Sequence, residues 1–161
     1  MNAIELLKMQ HQEVEQLFEQ VEKVEGLQKQ AIFMQIADAL TVHATLEEQI
    51  FYPAVKEADT ENLLEEAVEE HFAMKQLIAE LIDMGAEAEA FDGKLQALKT
   101  AVLHHVKDEE EPQLFPKVRQ MMDEDTLEAL GEEMTELMVT VEAEGTPSDL
   151  VFDELDAPAP I

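Results

Sequence analysis

Apolar residues recur along this chain in alternating steps of three and four, the mark of helices that each bury one stripe. Ile4, Leu7, His11, Val14, Phe18 and Val21 form the first stripe. They predict a helix from about Ile4 to Glu25, stopped by Gly26. Ile36, Leu40, His43, Glu47 and Ile50 form the second, in a helix expected over about Gln28 to Ala58. Pro53 should kink or loosen it, because proline lacks an N–H and crowds the preceding turn. Asp59-Thr60 reads as a turn and N-cap. Leu64, Ala67, His71, Met74, Ile78 and Leu81 then mark a third helix running to about Met84, with Gly85 opening the next connection. Leu95, Leu98, Val102, His105 and Glu109 mark a fourth, starting near Phe91-Asp92.

Asp125-Thr126-Leu127-Glu128 resembles a capping box and predicts a fifth helix over about residues 125–141. Its Leu127, Leu130, Met134 and Leu137 form an apolar face able to cover one end of a bundle. Residues 1–143 are thus expected to form one helical domain. Residues 144–161 are acidic and proline-bearing and are expected to be a flexible tail.

The second and fourth stripes correspond position by position. Ile36, Leu40, His43 and Glu47 match Leu98, Val102, His105 and Glu109, always at an offset of 62, and His11 matches His71 at an offset of 60. The helices therefore look like two similar pairs, each placing one histidine in each buried stripe.

Composition supports an all-α chain: 5 glycines, one tyrosine, no tryptophan, and abundant Ala, Leu, Met, Glu and Gln. The absence of cysteine excludes disulfides, iron–sulfur clusters and thiolate zinc sites. With 38 acidic and 10 basic residues, the formal net charge is −28. That balance argues against nucleic acid or an anionic membrane as partner, since both demand a positive face, and it favours attraction of cations. No apolar run approaches the length of a membrane span, and no signal peptide is recognisable, so a cytoplasmic protein is the expectation. Composition does not identify a protein partner.

The chemistry lies in the polar residues planted in apolar stripes. A buried, unpaired carboxylate is costly, yet Glu47 and Glu109 fall at core positions. Each follows a histidine by four residues, which sets imidazole and carboxylate on the same helical face. His11 and His71 add two more imidazoles. A single core histidine is usually a packed, satisfied residue. Here four of five histidines sit in stripes near the middle of successive helices. Imidazole with carboxylate suits iron, manganese or zinc, and the candidate ligands are His11, His43, Glu47, His71, His105 and Glu109. No His-Glu-x-x-His motif is present, nor the Glu-x-x-His of ferritin-like bundles, nor a glycine-rich phosphate loop.

Taken together, these residues resemble the hemerythrin-like, HHE cation-binding family. The resemblance spans roughly residues 3–143. It rests on His11, on His43-Ala-Thr-Leu-Glu47-Glu48 with Phe51-Tyr52-Pro53, on His71, and on His104-His105-Val-Lys-Asp-Glu109-Glu110 with Leu114-Phe115-Pro116. It implies an up-down antiparallel four-helix bundle, here with a fifth C-terminal helix. It also implies two non-haem iron ions bridged by two carboxylates and an oxo or hydroxo group, with manganese or zinc as possible substitutes. The implied ligand is O2, peroxide or NO, for sensing, detoxification or iron and oxygen handling. The alternative is a non-catalytic, metal-responsive interaction module.

Two departures from the family pattern bear on the site. The oxygen carriers that this chain resembles have a fifth histidine four residues after the equivalent of His71, where this chain has Lys75. Glu15 and His104 are the candidates for replacing that ligand. Secondly, Pro53 follows His43 by ten residues but Pro116 follows His105 by eleven. A π-bulge would absorb the extra residue, leaving Glu110 as the alternative to Glu109. Tyr52 reads as a core or interface aromatic, or as a hydrogen-bond donor at the site.

Overall fold

A computed structural model describes residues 1–161 of the chain. Helix α1 spans Ala3–Val21. It opens on a reciprocal cap in which Asn2 accepts from the Glu5 N–H while the Glu5 carboxylate accepts from the Asn2 N–H. Gly26, at a φ of +61°, turns the chain into α2 (Gly26–Leu46) rather than ending the first helix. A left-handed residue here breaks the helical run, which explains why α1 stops short of Glu25. Helix α2 continues through a π-helical segment, Glu47–Phe51, and a last α-turn at Tyr52–Ala54. Helix α3 spans Glu61–Met84 and ends at Gly85, whose φ of +77° leaves the helix. Helix α4, Phe91–His104, runs on into a second π-helical segment, His105–Leu114, and a closing turn, Phe115–Met121.

Helix α5 (Glu124–Ala143) is capped by Asp123, which accepts from the Thr126 N–H. The expected capping box at Asp125 lies two residues too far along. A carboxylate reaches the donor three residues ahead, and Asp123 rather than Asp125 precedes the first helical residue. Leu127, Leu130 and Met134 pack α5 onto one half of the bundle, against α1 and α2.

The core is divided. One apolar cluster gathers Leu7 of α1, Leu46, Phe51 and Tyr52 of α2 and its extension, Leu64 of α3, and Leu114, Phe115 and Val118 beyond α4. The other gathers Val14 and Phe18, Phe33, Ile36 and Leu40, Met74 and Ile78, and Leu95, Leu98 and Val102. In every helix the histidine falls between these sets: Leu7–His11–Val14, Leu40–His43–Leu46, Ala67–His71–Met74. Since α1 and α3 meet the first cluster at their beginnings while α2 and α4 meet it at their ends, neighbours run antiparallel. A polar layer therefore crosses the bundle between two greasy halves.

The segment after Gly145, expected as a flexible tail, instead lies on the bundle. A 3-10 helix, Pro147–Asp153, packs against α2 and α3. Ser148 and Val151 are fully buried, the Ser148 N–H donates to Asp38, and Leu155 touches the second cluster. A few apolar anchors in an acidic stretch suffice to dock it. No helix is long and apolar enough to cross a membrane.

Candidate metal centre

The polar layer is built from paired imidazoles. His11 and His43 stand with ring centroids 4.8 Å apart, and His71 and His105 at 4.9 Å. Each ring is held from outside through Nδ1 by an acceptor on a different helix. His11 Nδ1 donates to Glu111 at 2.8 Å, and His43 Nδ1 to Gln10 at 2.7 Å. His71 Nδ1 donates to Glu48 at 2.7 Å, and His105 Nδ1 to Glu70 at 2.8 Å. With Nδ1 engaged on the outer side, each Nε2 points inward. Outer acceptors that fix tautomer and ring orientation are the usual companions of metal-binding histidines.

Two carboxylates fill the space between the pairs. Glu110 reaches His11 Nε2 with one oxygen, at 3.1 Å, and His105 Nε2 with the other, at 2.9 Å. Glu47 faces His43 Nε2 and lies 3.8 Å from His71 Nε2. The Tyr52 hydroxyl donates to Glu110 at 2.7 Å and stands 3.4 Å from Nε2 of both His71 and His105. Ligand atoms of His11, His43, Glu47 and Glu110 lie within 4.8 Å of one another, as do those of Glu47, His71 and His105. Glu47 belongs to both groups, so the geometry offers two adjacent cation positions with a shared carboxylate.

A cation fits this set. His43 Nε2 and both oxygens of Glu47 are buried without a hydrogen-bond partner, a condition that native interiors avoid. The electrostatics carry the same message. Burial and the neighbouring Glu110 charge push the Glu47 carboxyl well above the usual range. Burial and His11 push His43 well below it. Burial also opposes charge on His105, but Glu110 and Glu70 outweigh it and raise the imidazole to about 10. For Glu110 burial is likewise overcome, by His105 and His11, which hold it well below the carboxylate range. Burial and the two carboxylates keep Tyr52 protonated. Burial thus disfavours charge on Glu47 and His43, while His105 and Glu110 sustain each other as a pair.

The structure brings together five of the six expected residues: His11, His43, Glu47, His71 and His105. Glu109 is not among them. It lies on the flank of the bundle, 3.4 Å from His104 Nε2, where burial and the charges of Glu70 and Glu66 raise it to about 8. Glu110 takes its place because the π-helical segment begins at His105 itself. A π-turn brings residues five apart, rather than four, onto one face. Glu15 pairs with Lys107 at 3.3 Å, and His104 is exposed beside Asp108, so neither joins the buried cluster. Lys75 is buried but turned to Glu48 and Glu154. Gln10, Glu48, Glu70 and Glu111 escaped the sequence reading. Their only signal is adjacency to a histidine or motif carboxylate in the chain, which does not reveal that each serves a ring on another helix.

Comparison with known proteins shows what the chain is similar to. Residues 2–118 match the hemerythrin HHE cation binding domain. A crystal structure of a hemerythrin HHE cation binding domain-containing protein from Mycobacterium kansasii superposes with a TM-score of 0.78 at 24% identity, over 89% of each chain. At that identity it speaks for the fold alone. A protein named DNA nickase from Nostoc sp. strain PCC 7120 is 31% identical over 129 residues, which is 80% of this chain and 36% of that protein. The chain thus spans little more than a third of that relative's length.

Proposed function

The chain belongs to the hemerythrin HHE cation-binding family, and from that premise we propose that it holds two iron ions and binds or reacts with O2, peroxide or NO. The observation carrying this reading is the inward aim of four imidazole Nε2 atoms around Glu47 and Glu110, each ring braced through Nδ1. His11 and His43 would serve one ion, and His71 and His105 the other. Glu47 and Glu110 would span the two. When bound, the iron pair supplies electrons to, or withdraws them from, a small ligand. Four imidazoles and two shared carboxylates would be the chain's own contribution to holding them.

The chain's own contribution is positioning and exclusion. Glu111, Gln10, Glu48 and Glu70 hold the rings; Tyr52 orients Glu110 and keeps its proton beside both His71 and His105. On the side of the second apolar cluster, a cavity of about 30 Å³ is bounded by all four histidines together with Val14, Leu40, Ile78 and Val102. That is room for about two waters, which suits a diatomic or peroxide. The name DNA nickase describes the Nostoc protein. With 38 acidic against 10 basic residues here, a phosphate backbone is repelled, and that charge gives nicking no support in this chain.

Optical spectroscopy of the iron-loaded protein, with and without O2, peroxide and NO, tests the proposal. New bands that depend on one of these ligands are expected. An iron-loaded protein whose spectrum ignores all three would leave a metal module without this chemistry.

A further inference from the structure

Lys75 stands one turn beyond His71 on α3 and is 5% exposed. Burying a lysine costs desolvation and rotamer freedom, so something must hold it. Its Nζ donates to Glu48 Oε1 at 2.7 Å and pairs with Glu154 Oε2 at 2.6 Å. Glu48 is the carboxylate that braces His71, and Glu154 follows the 3-10 helix of the C-terminal segment. Two cavities meet at this side chain. The inner one, of about 30 Å³, is the space beside the four histidines. The outer one, of about 450 Å³, lies beneath the C-terminal segment between Glu48, Asp153, Glu154 and Asp156. Lys75 is the single residue that lines both.

We propose that Lys75 is a gate between these cavities, latched by Glu48 and Glu154, and that the C-terminal segment thereby controls the approach of small uncharged ligands to the metal centre. This rests on the metal-binding reading above. The gate can open at small electrostatic cost, because an ammonium that swings outward stays among the carboxylates of Asp153, Glu154 and Asp156. Those three carboxylates, with Glu48, repel anions at the mouth, so the route favours neutral molecules over anions. The lysine at this position is then a device for admission.

The test is stopped-flow binding to the full chain loaded with iron, using NO as the neutral probe and azide as the anionic one. Metal content is counted first in each protein. Lys75→Ala should retain two metals and bind NO about tenfold faster or more. Glu154→Gln, which only releases the latch at a partly exposed position, should accelerate NO by a smaller factor. In the wild type, azide should bind more slowly than NO, and that gap should narrow as salt is raised. Unchanged or slower NO binding in a Glu154→Gln protein with full metal content overturns the gate, whether or not Lys75→Ala folds. A wild-type chain that takes up no metal overturns the metal reading, and the gate with it. The two failures are therefore distinguishable.

Discussion

Substituting the two neighbouring glutamates, Glu109 and Glu110, separates the role of helical geometry from that of mere proximity to His105. Glu110 is 2% exposed, accepts from Tyr52, pairs with His105 and lies 3.1 Å from His11 Nε2. In metal-free protein, Glu110→Ala leaves the raised, protonated His105 without its main counter-charge in a dry interior. Breaking one side of a buried pair costs about 3–5 kcal/mol, a large part of a total stability of about 5–15 kcal/mol. Glu110→Gln keeps the shape and an acceptor for Tyr52, so it should lose less and remain foldable. Glu109→Ala removes a carboxyl crowded by Glu70 and Glu66, so its effect should stay within about 1 kcal/mol and can be stabilising. Urea denaturation of chelator-treated protein reads the stabilities. Elemental analysis after iron loading reads the site: Glu109→Ala should keep about two metals per chain, and Glu110→Gln should fall clearly below that. If Glu110→Gln kept its metal and Glu109→Ala lost it, the π-helical register assigned here would be wrong.

Other expectations follow from single contacts. Gln10→Ala removes the acceptor of the His43 Nδ1–H and should weaken metal binding about 10–100-fold, as measured by competition with a chelator. A Cβ on Gly131 would collide with the Met1 carbonyl oxygen and lie 2.9 Å from the Asn2 carbonyl carbon. Backbone cannot yield as a side chain does, so Gly131→Ala should destabilise by about 1–3 kcal/mol, outweighing the gain in helix propensity of about 1 kcal/mol; thermal unfolding checks the sign. Protons compete with cations for imidazole, so metal retention should fall as pH drops below the ordinary histidine range of about 6.5, as followed by metal release on dialysis. Metal removal at constant pH should lower the melting temperature, because the ion binds the folded site preferentially.

Much of this architecture was legible because helical periodicity is a local property. The steps joining Leu7, His11 and Val14, or Leu40, His43 and Glu47, fix a face before any partner helix is considered. What escaped depends on where the backbone departs from that period. The spacing from His105 to Pro116 revealed one extra residue but not where the bulge begins. With the π-turn starting at His105, the fifth residue on replaces the fourth. The π-helical segment at Glu47–Phe51 left no trace in the spacing from His43 to Glu47, since it begins only at Glu47. The C-terminal segment was misread because Ser148, Val151 and Leu155 anchor it one at a time, without periodicity. The braces on Nδ1 were invisible for a related reason: Gln10 serves His43, Glu48 serves His71 and Glu70 serves His105, all across helix boundaries.

The most direct test of the centre itself is metal counting on wild-type protein loaded with iron and freed of loosely bound ions, compared with His43→Ala and Glu47→Ala. About two ions per chain in the wild type, with loss in both variants, is the expected result. A wild-type chain that retains none, or variants that retain the full complement, would contradict the assignment of the polar layer as a metal centre.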